Sequence, residues 1–268
     1  MKTKLKNISI LAAFFAAFLF FNNCANITGE GEISEAQTSL SSSIFSNSTN
    51  EFIVKVVYEV GATPYTGNIG LTANDTWSVT KTSYQAVFLN HTGRIVTVPN
   101  VTSGFTLIPD KAKTTWNATE LIALGISVSP AAVVTSNKAT VTVIFLNGLF
   151  NGNSQTLGVH FSGYGFAFVF KDVVASVGGT AADQRYVEQS TVVHELGHVI
   201  GFVNNGVPLT SSYEEQAHLR HSSNANCVMY WTVESSNTIL SSLTNTILGA
   251  RLNLFEAEVL NDGRAFHP

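Results

Sequence analysis

Cysteine is nearly missing from this chain, with two in 268 residues, and that excludes a disulfide framework as the source of stability. Charge is sparse as well. Only 12% of residues are charged, with 14 Lys and Arg against 18 Asp and Glu, for a net charge of −4. No Lys/Arg cluster occurs beyond the first six residues, so nucleic acid is not an expected partner. Histidine is scarce too, at seven. What the chain does have is apolar mass, 45% hydrophobic residues, ample for one sizeable globular domain.

The first residues read as an export signal. Lys2, Lys4 and Lys6 precede the uncharged run Ile8 to Phe21, which at 14 residues is short of the about 20 that a membrane helix needs. Cys24 follows after Asn22 and Asn23 and resembles the acylated cysteine of a bacterial lipoprotein, although Phe21 and Asn23 depart from the usual lipobox. Residues 1–23 are thus expected as a signal peptide, with Cys24 as the lipid anchor of an envelope lipoprotein; ordinary secretion is the alternative. Residues 24–50 are rich in Ser, Thr, Asn and Glu and read as a flexible tether. The folded domain is expected over 51–268.

Within that domain Phe52 to Val60 and Ala139 to Leu146 are β-branched strands, and Arg94 to Val98 is a short one. Thr76 to Asn90 reads as a helix capped by Asn74 or Asp75. Thr115 to Leu124 reads as a second helix, ended by Gly125. Thr156 to Phe161 and Phe166 to Phe170 form a hairpin through Ser162–Gly165. A helix over Tyr186 to Ile200 follows, with Thr180 and Asp183 as a capping-type start. Leu252 to Asn261 is a candidate terminal helix. The order predicts one α+β domain built on a single twisted mixed sheet.

The last third carries the chemistry. His194-Glu195-Leu196-Gly197-His198 places two imidazoles four residues apart, one turn along a helix, where both can face one metal ion. Glu195 then stands where it can take a proton from a water activated by that metal. With so few histidines, this spacing seldom arises by chance; the alternative is a buried helix carrying two satisfied histidines. Gly201 suits a helix C-terminus. The irregular loop beyond it holds His218 and His221 and closes at Cys227-Val228-Met229-Tyr230-Trp231.

His194, Glu195, His198 and Gly201 with downstream Met229 resemble the metzincin pattern of zinc metallopeptidases. That family's third ligand is a His where this chain has Asn204, a weak donor. In the archaemetzincin subgroup the third His is followed by cysteines and the Met, and on that register His221 is the third ligand, with Cys227 and Met229 in place and Ser222 departing. The resemblance implies a zinc endopeptidase holding one zinc ion on His194, His198 and His221, with Glu195 as general base and acid and Met229 as the Met turn beneath the metal. It also implies a protein or peptide substrate paired along the strand Thr156 to Phe161. No second, cysteine-held zinc is expected. His218 remains the alternative third ligand, and Glu214 or Glu215 a carboxylate alternative. Tyr213 and Tyr230 are candidate phenols for the oxyanion. His91, His160 and His267 read as ordinary surface or strand residues. The chain is expected to be a monomer, held to a membrane only through Cys24. A catalytically decayed surface lipoprotein, acting as an adhesin or binding module, is the non-enzymatic alternative.

Overall fold

Nine strands and six helices account for the ordered elements among the described residues, which in this computed structural model are 34–69, 74–239 and 254–268. The sequence reading of Cys24 and the signal peptide lies outside them. No described helix is long and apolar enough to cross a membrane.

The sheet centres on two long strands, β1 (Glu51–Glu59) and β6 (Lys138–Leu146), paired in parallel from Glu51↔Lys138 to Tyr58↔Phe145. β2 (Ile95–Thr97) and β3 (Thr106–Ile108) lie end to end along the far side of β1, both parallel to it. On the other side β9 (Phe166–Phe170) runs parallel to β6, and β8 (Gly158–His160) is antiparallel to β9 at the edge, in the order β2-β1-β6-β9-β8. β5 (Val134–Thr135) folds back on β6, and β4 (Thr115–Trp116) pairs separately with β7 (Leu149–Phe150). The interior strands β6 and β9 are buried along nearly their whole length, which is why they read as apolar runs rather than as an alternation. The fold class is α+β on a central mixed sheet, as expected, with β4 and β7 as a separate two-stranded sheet beside it.

The helices are α1 (Glu35–Phe45), α2 (Thr76–Val87), α3 (Ala118–Val128), α4 (Lys171–Ser176), α5 (Ala181–Ile200) and α6 (Ala257–Ala265). Asp75 caps α2, accepting from the Trp77 and Ser78 amides. Three expectations need correction. Thr115 and Trp116 are strand; α3 begins at Ala118 under an Asn117/Glu120 capping box and runs through Gly125. There Gly125 is required for contact, since a Cβ would strike the Phe166 ring. The terminal helix starts only at Ala257.

The third correction concerns the tether. From Ser34 onward the segment 24–50 is part of the folded domain, which therefore does not begin at Glu51. Gln37, Leu40, Ser41, Ile44 and Phe45 recur at helical spacing and are buried. Gln37 donates to Val199 O at 3.1 Å and accepts from Gly163 N at 2.8 Å, tying α1 to the end of α5. The hydroxyl-rich composition is misleading because Ser41 is a packing residue: its Oγ fills the space left by Gly201 and Gly206.

Candidate metal centre

α5 is the helix around which the site is built. It packs on β8 and β9 and against α1, α2 and α4, and every residue from Tyr186 to Ile200 is buried. A helix buried all round must satisfy its polar side chains internally. Near its start this is done by Glu188, which pairs with Lys171 and accepts from Tyr65 N at 2.6 Å. Thr180 and Asp183 close a reciprocal capping box, and Gly201 ends the helix in the left-handed region at φ 101°. The chain can thus turn back immediately after His198.

His194 and His198 lie on one face, their Nε2 atoms 3.0 Å apart. His194 Nδ1 is 2.7 Å from Val228 O. A carbonyl can only accept, so Nδ1 carries the proton and Nε2 presents a lone pair. The loop after α5 delivers His221 to the same point. Its Nδ1 lies 3.0 Å from Leu219 O and 3.2 Å from His218 O, which again leaves Nε2 as a lone pair.

A fourth group completes the cluster. Glu234, at the end of the 3-10 turn Trp231–Glu234, places Oε1 at 2.5 Å from His221 Nε2, 3.2 Å from His194 Nε2 and 3.7 Å from His198 Nε2. The four donor atoms lie within 4.8 Å of one another and all four residues are buried. Lone pairs and a carboxylate facing each other out of water require a cation between them. Burial pushes the His221 imidazole down, but the Glu234 carboxylate outweighs it and raises the pKa. Burial likewise opposes ionisation of Glu234, yet His221 and the other two imidazoles hold it well below the usual carboxylate range. His198 is kept neutral, well below its ordinary value, chiefly by burial. The donor set also suits a zinc ion. Zinc takes neutral imidazole nitrogen and carboxylate oxygen, and tetrahedral ligands about 2.0–2.1 Å from it stand about 3.3 Å from one another, close to the spacings seen here.

Glu195 stands beside this cluster but is not one of its four members. It is fully buried, and neither carboxylate oxygen has a hydrogen-bond partner among the described residues. Burial first, and the Glu234 charge second, push its carboxyl well above the usual range. Its Cγ rests against Gly158 of the edge strand, where a Cβ would come within 2.6 Å of it. Met229 lies under the helix with its sulfur where a Cβ on Gly197 would come within 2.5 Å. Glycine at 197 is therefore what lets Met229 sit between the turns that carry His194 and His198.

Of the alternatives read from sequence, His218 is not in the cluster: its ring is stacked on Trp231 at 4.2 Å. Glu214 is held by Asn204 Nδ2 at 3.0 Å and Arg220 N at 2.8 Å, and Glu215 lies outside the four-residue group. The downstream carboxylate is Glu234, which sequence reasoning missed. Its one signal is being a lone acid directly after the apolar knot that ends in Trp231. The Tyr213 phenol donates to Asp262, and Tyr230 packs beside Trp231. His160 is a strand residue, in β8, but not an ordinary one. It is buried and stacked on His198, with Nδ1 3.9 Å from Glu195 Oε2, and burial drives its pKa to about 3. His91 is buried too, its Nε2 3.0 Å from Gly263 O, whereas His267 is exposed.

No family model matches the chain, and no curated protein does. Among solved structures, the chain is similar to a zinc-dependent peptidase from Methanocorpusculum labreanum, at 12% identity and a TM-score of 0.43, covering 78% of this chain and 99% of that one. It is also similar to an archaemetzincin from Archaeoglobus fulgidus, crystallised with malonate, at 17% identity and a TM-score of 0.38, covering 79% and 99%. Both likenesses are loose.

Proposed function

We propose that the protein is a zinc-dependent endopeptidase acting on protein or peptide substrate. The observation that carries this reading is the meeting of three Nε2 lone pairs beside a buried carboxylate, Glu195, that has no hydrogen-bond partner among the described residues. Two of those lone pairs are fixed by Nδ1–H groups donating to main-chain carbonyls, the arrangement by which proteins orient imidazole towards a metal. His194, His198 and His221 would hold one zinc ion. Zinc held by neutral imidazoles supplies Lewis acidity, both to a peptide carbonyl and to a water.

The chain's own contribution is proton handling. Glu195 accepts the proton of the attacking water on a carboxylate oxygen and returns it to the leaving amine. Its dry surroundings favour the protonated form, which suits the second half of that task. β8 offers an extended peptide an edge beside Glu195, with main-chain hydrogen bonding as the source of affinity. Met229 supports the helix and does no chemistry. Export, with Cys24 as a lipid anchor, and a monomeric state complete the reading.

The test is metal content and peptide cleavage measured on the same preparations of wild type and Glu195→Ala. The reading expects one zinc per chain in both and turnover only in wild type. Cleavage by Glu195→Ala at the wild-type rate would sink it.

A further inference from the structure

The same turn that supplies Glu234 also lies along the edge of the sheet. Leu157 N donates to Glu234 O at 2.8 Å and Ser236 N to Gln155 O at 2.9 Å, with Thr156 and Ser235 bridged antiparallel between them. The segment Glu234–Ser236 is thus paired, in extended fashion, with the residues leading directly into β8. Its backbone lies where an added peptide strand would start to pair. Its first side chain reaches into the histidine cluster, with Oε1 nearer to His221 and His194 Nε2 than to His198 Nε2. Meanwhile Glu195, His198 and His221 are all buried, so nothing the size of a peptide reaches the centre in this conformation.

Building on the zinc reading, we infer that Glu234–Ser236 is an internal strap: Glu234 is the fourth protein ligand of the metal, and its backbone holds the substrate edge, so the chain keeps its own site closed. A zinc with four protein ligands is a closed site, whereas a catalytic one keeps a position open. Glu234 fills that position and the paired backbone keeps it there. An exogenous group that binds metal must displace both, and its apparent affinity is reduced by the fraction of chains in which the strap is closed. The arrangement differs from a purely structural site because Glu195, a buried carboxylate with no hydrogen-bond partner among the described residues, remains beside it.

The experiment uses the full chain with cobalt(II) in place of zinc, so that the visible spectrum reports the ligand set, and acetohydroxamate as the probe. Wild type is expected to take up one cobalt and to keep its spectrum when acetohydroxamate is added. Glu234→Ala should retain cobalt and shift its spectrum with the probe. Ser236→Pro removes the N–H donated to Gln155 and fixes φ at that position, while no metal-ligating residue is changed; it should respond to the probe at concentrations that leave wild type unmoved. The zinc forms of both variants should cleave peptide about tenfold faster than wild type, or more. A wild-type spectrum that shifts as readily as that of Glu234→Ala would overturn the strap, as would a Glu234→Ala protein that ignores the probe. Loss of cobalt from Glu234→Ala also overturns it, because Glu234 would then be a structural ligand. Failure of the peptidase reading looks different: cobalt and the probe behave as expected, and no variant cleaves peptide.

Discussion

The imidazole of His160 lies face to face on that of His198, ring centroids 4.7 Å apart and planes inclined by 15°. One ring comes from the edge strand β8 and the other from α5, so the stack fixes the spacing between the strand and the helix. The same His160 puts Nδ1 3.9 Å from Glu195 Oε2. Its pKa of about 3 keeps it neutral near pH 7, and it adds no charge to the cluster.

His160→Ala is therefore expected to retain the metal while lowering kcat/KM by about 10- to 100-fold, the range for groups that orient a metal site without binding it. His160→Phe, which keeps a flat ring against His198, should recover part of the loss. Zinc analysis and steady-state kinetics on the same samples check this; equal activity in His160→Ala and wild type would remove His160 from the site.

Two glycines carry a second prediction. Gly158→Ala drives a methyl group into Glu195, and Gly197→Ala drives one into Met229. Both overpack a dry interior and should cost about 1–3 kcal/mol each in denaturant unfolding. They should differ in function. Gly158→Ala displaces the base and should lower kcat with metal retained, whereas Gly197→Ala disturbs the helix between its two histidines and should weaken metal binding. The reverse pattern would contradict the placement of Glu195 and Met229.

The segment before β1 belongs to the fold. Phe45 is fully buried and touches the rings of Phe88, His91, Phe202 and Phe266. Phe45→Ala should destabilise the domain by about 3–5 kcal/mol. Urea unfolding measures it, and a loss below the range of surface substitutions would restore the tether reading.

A fourth prediction concerns the buried pair at the base of α5. Burial pushes the Lys171 ammonium down and the Glu188 carboxyl up, each against the attraction of the other. Lys171 also lies over the Tyr65 ring at 3.4 Å. Removing one charge strands the other, so Glu188→Ala should cost about 3–5 kcal/mol. The double variant Glu188→Leu with Lys171→Met should recover much of that in the same unfolding assay. A Glu188→Ala domain as stable as wild type would contradict the pairing.

How much of this was legible beforehand depends on how local the signal is. His194, Glu195 and His198 are set by helix geometry, and the Thr180 and Gly201 ends of α5 by capping chemistry, so spacing alone places them. Asp75 at the start of α2 and the long strands β1 and β6 are legible for the same reason. His221 was reached through register with Cys227 and Met229, and the structure brings it, rather than His218, to the cluster. Glu234 and His160 were not legible. Each reaches the site through tertiary contact across a long sequence separation, Glu234 at 40 residues from His194 and His160 by its stack on His198, and no periodicity marks such contacts. α1 failed for a different reason: its serines look solvated in sequence, yet Ser41 is small enough to be packing material against two glycines.

The central claim is that His194, His198 and His221 hold a catalytic zinc. The most direct test is zinc per chain for wild type, His221→Ala and His218→Ala, with peptide cleavage read on the same samples. One zinc with cleavage in wild type and in His218→Ala, and loss of both in His221→Ala, is the predicted result. A wild-type chain that purifies without zinc and cleaves no peptide would contradict the claim and favour a binding protein built on the same fold.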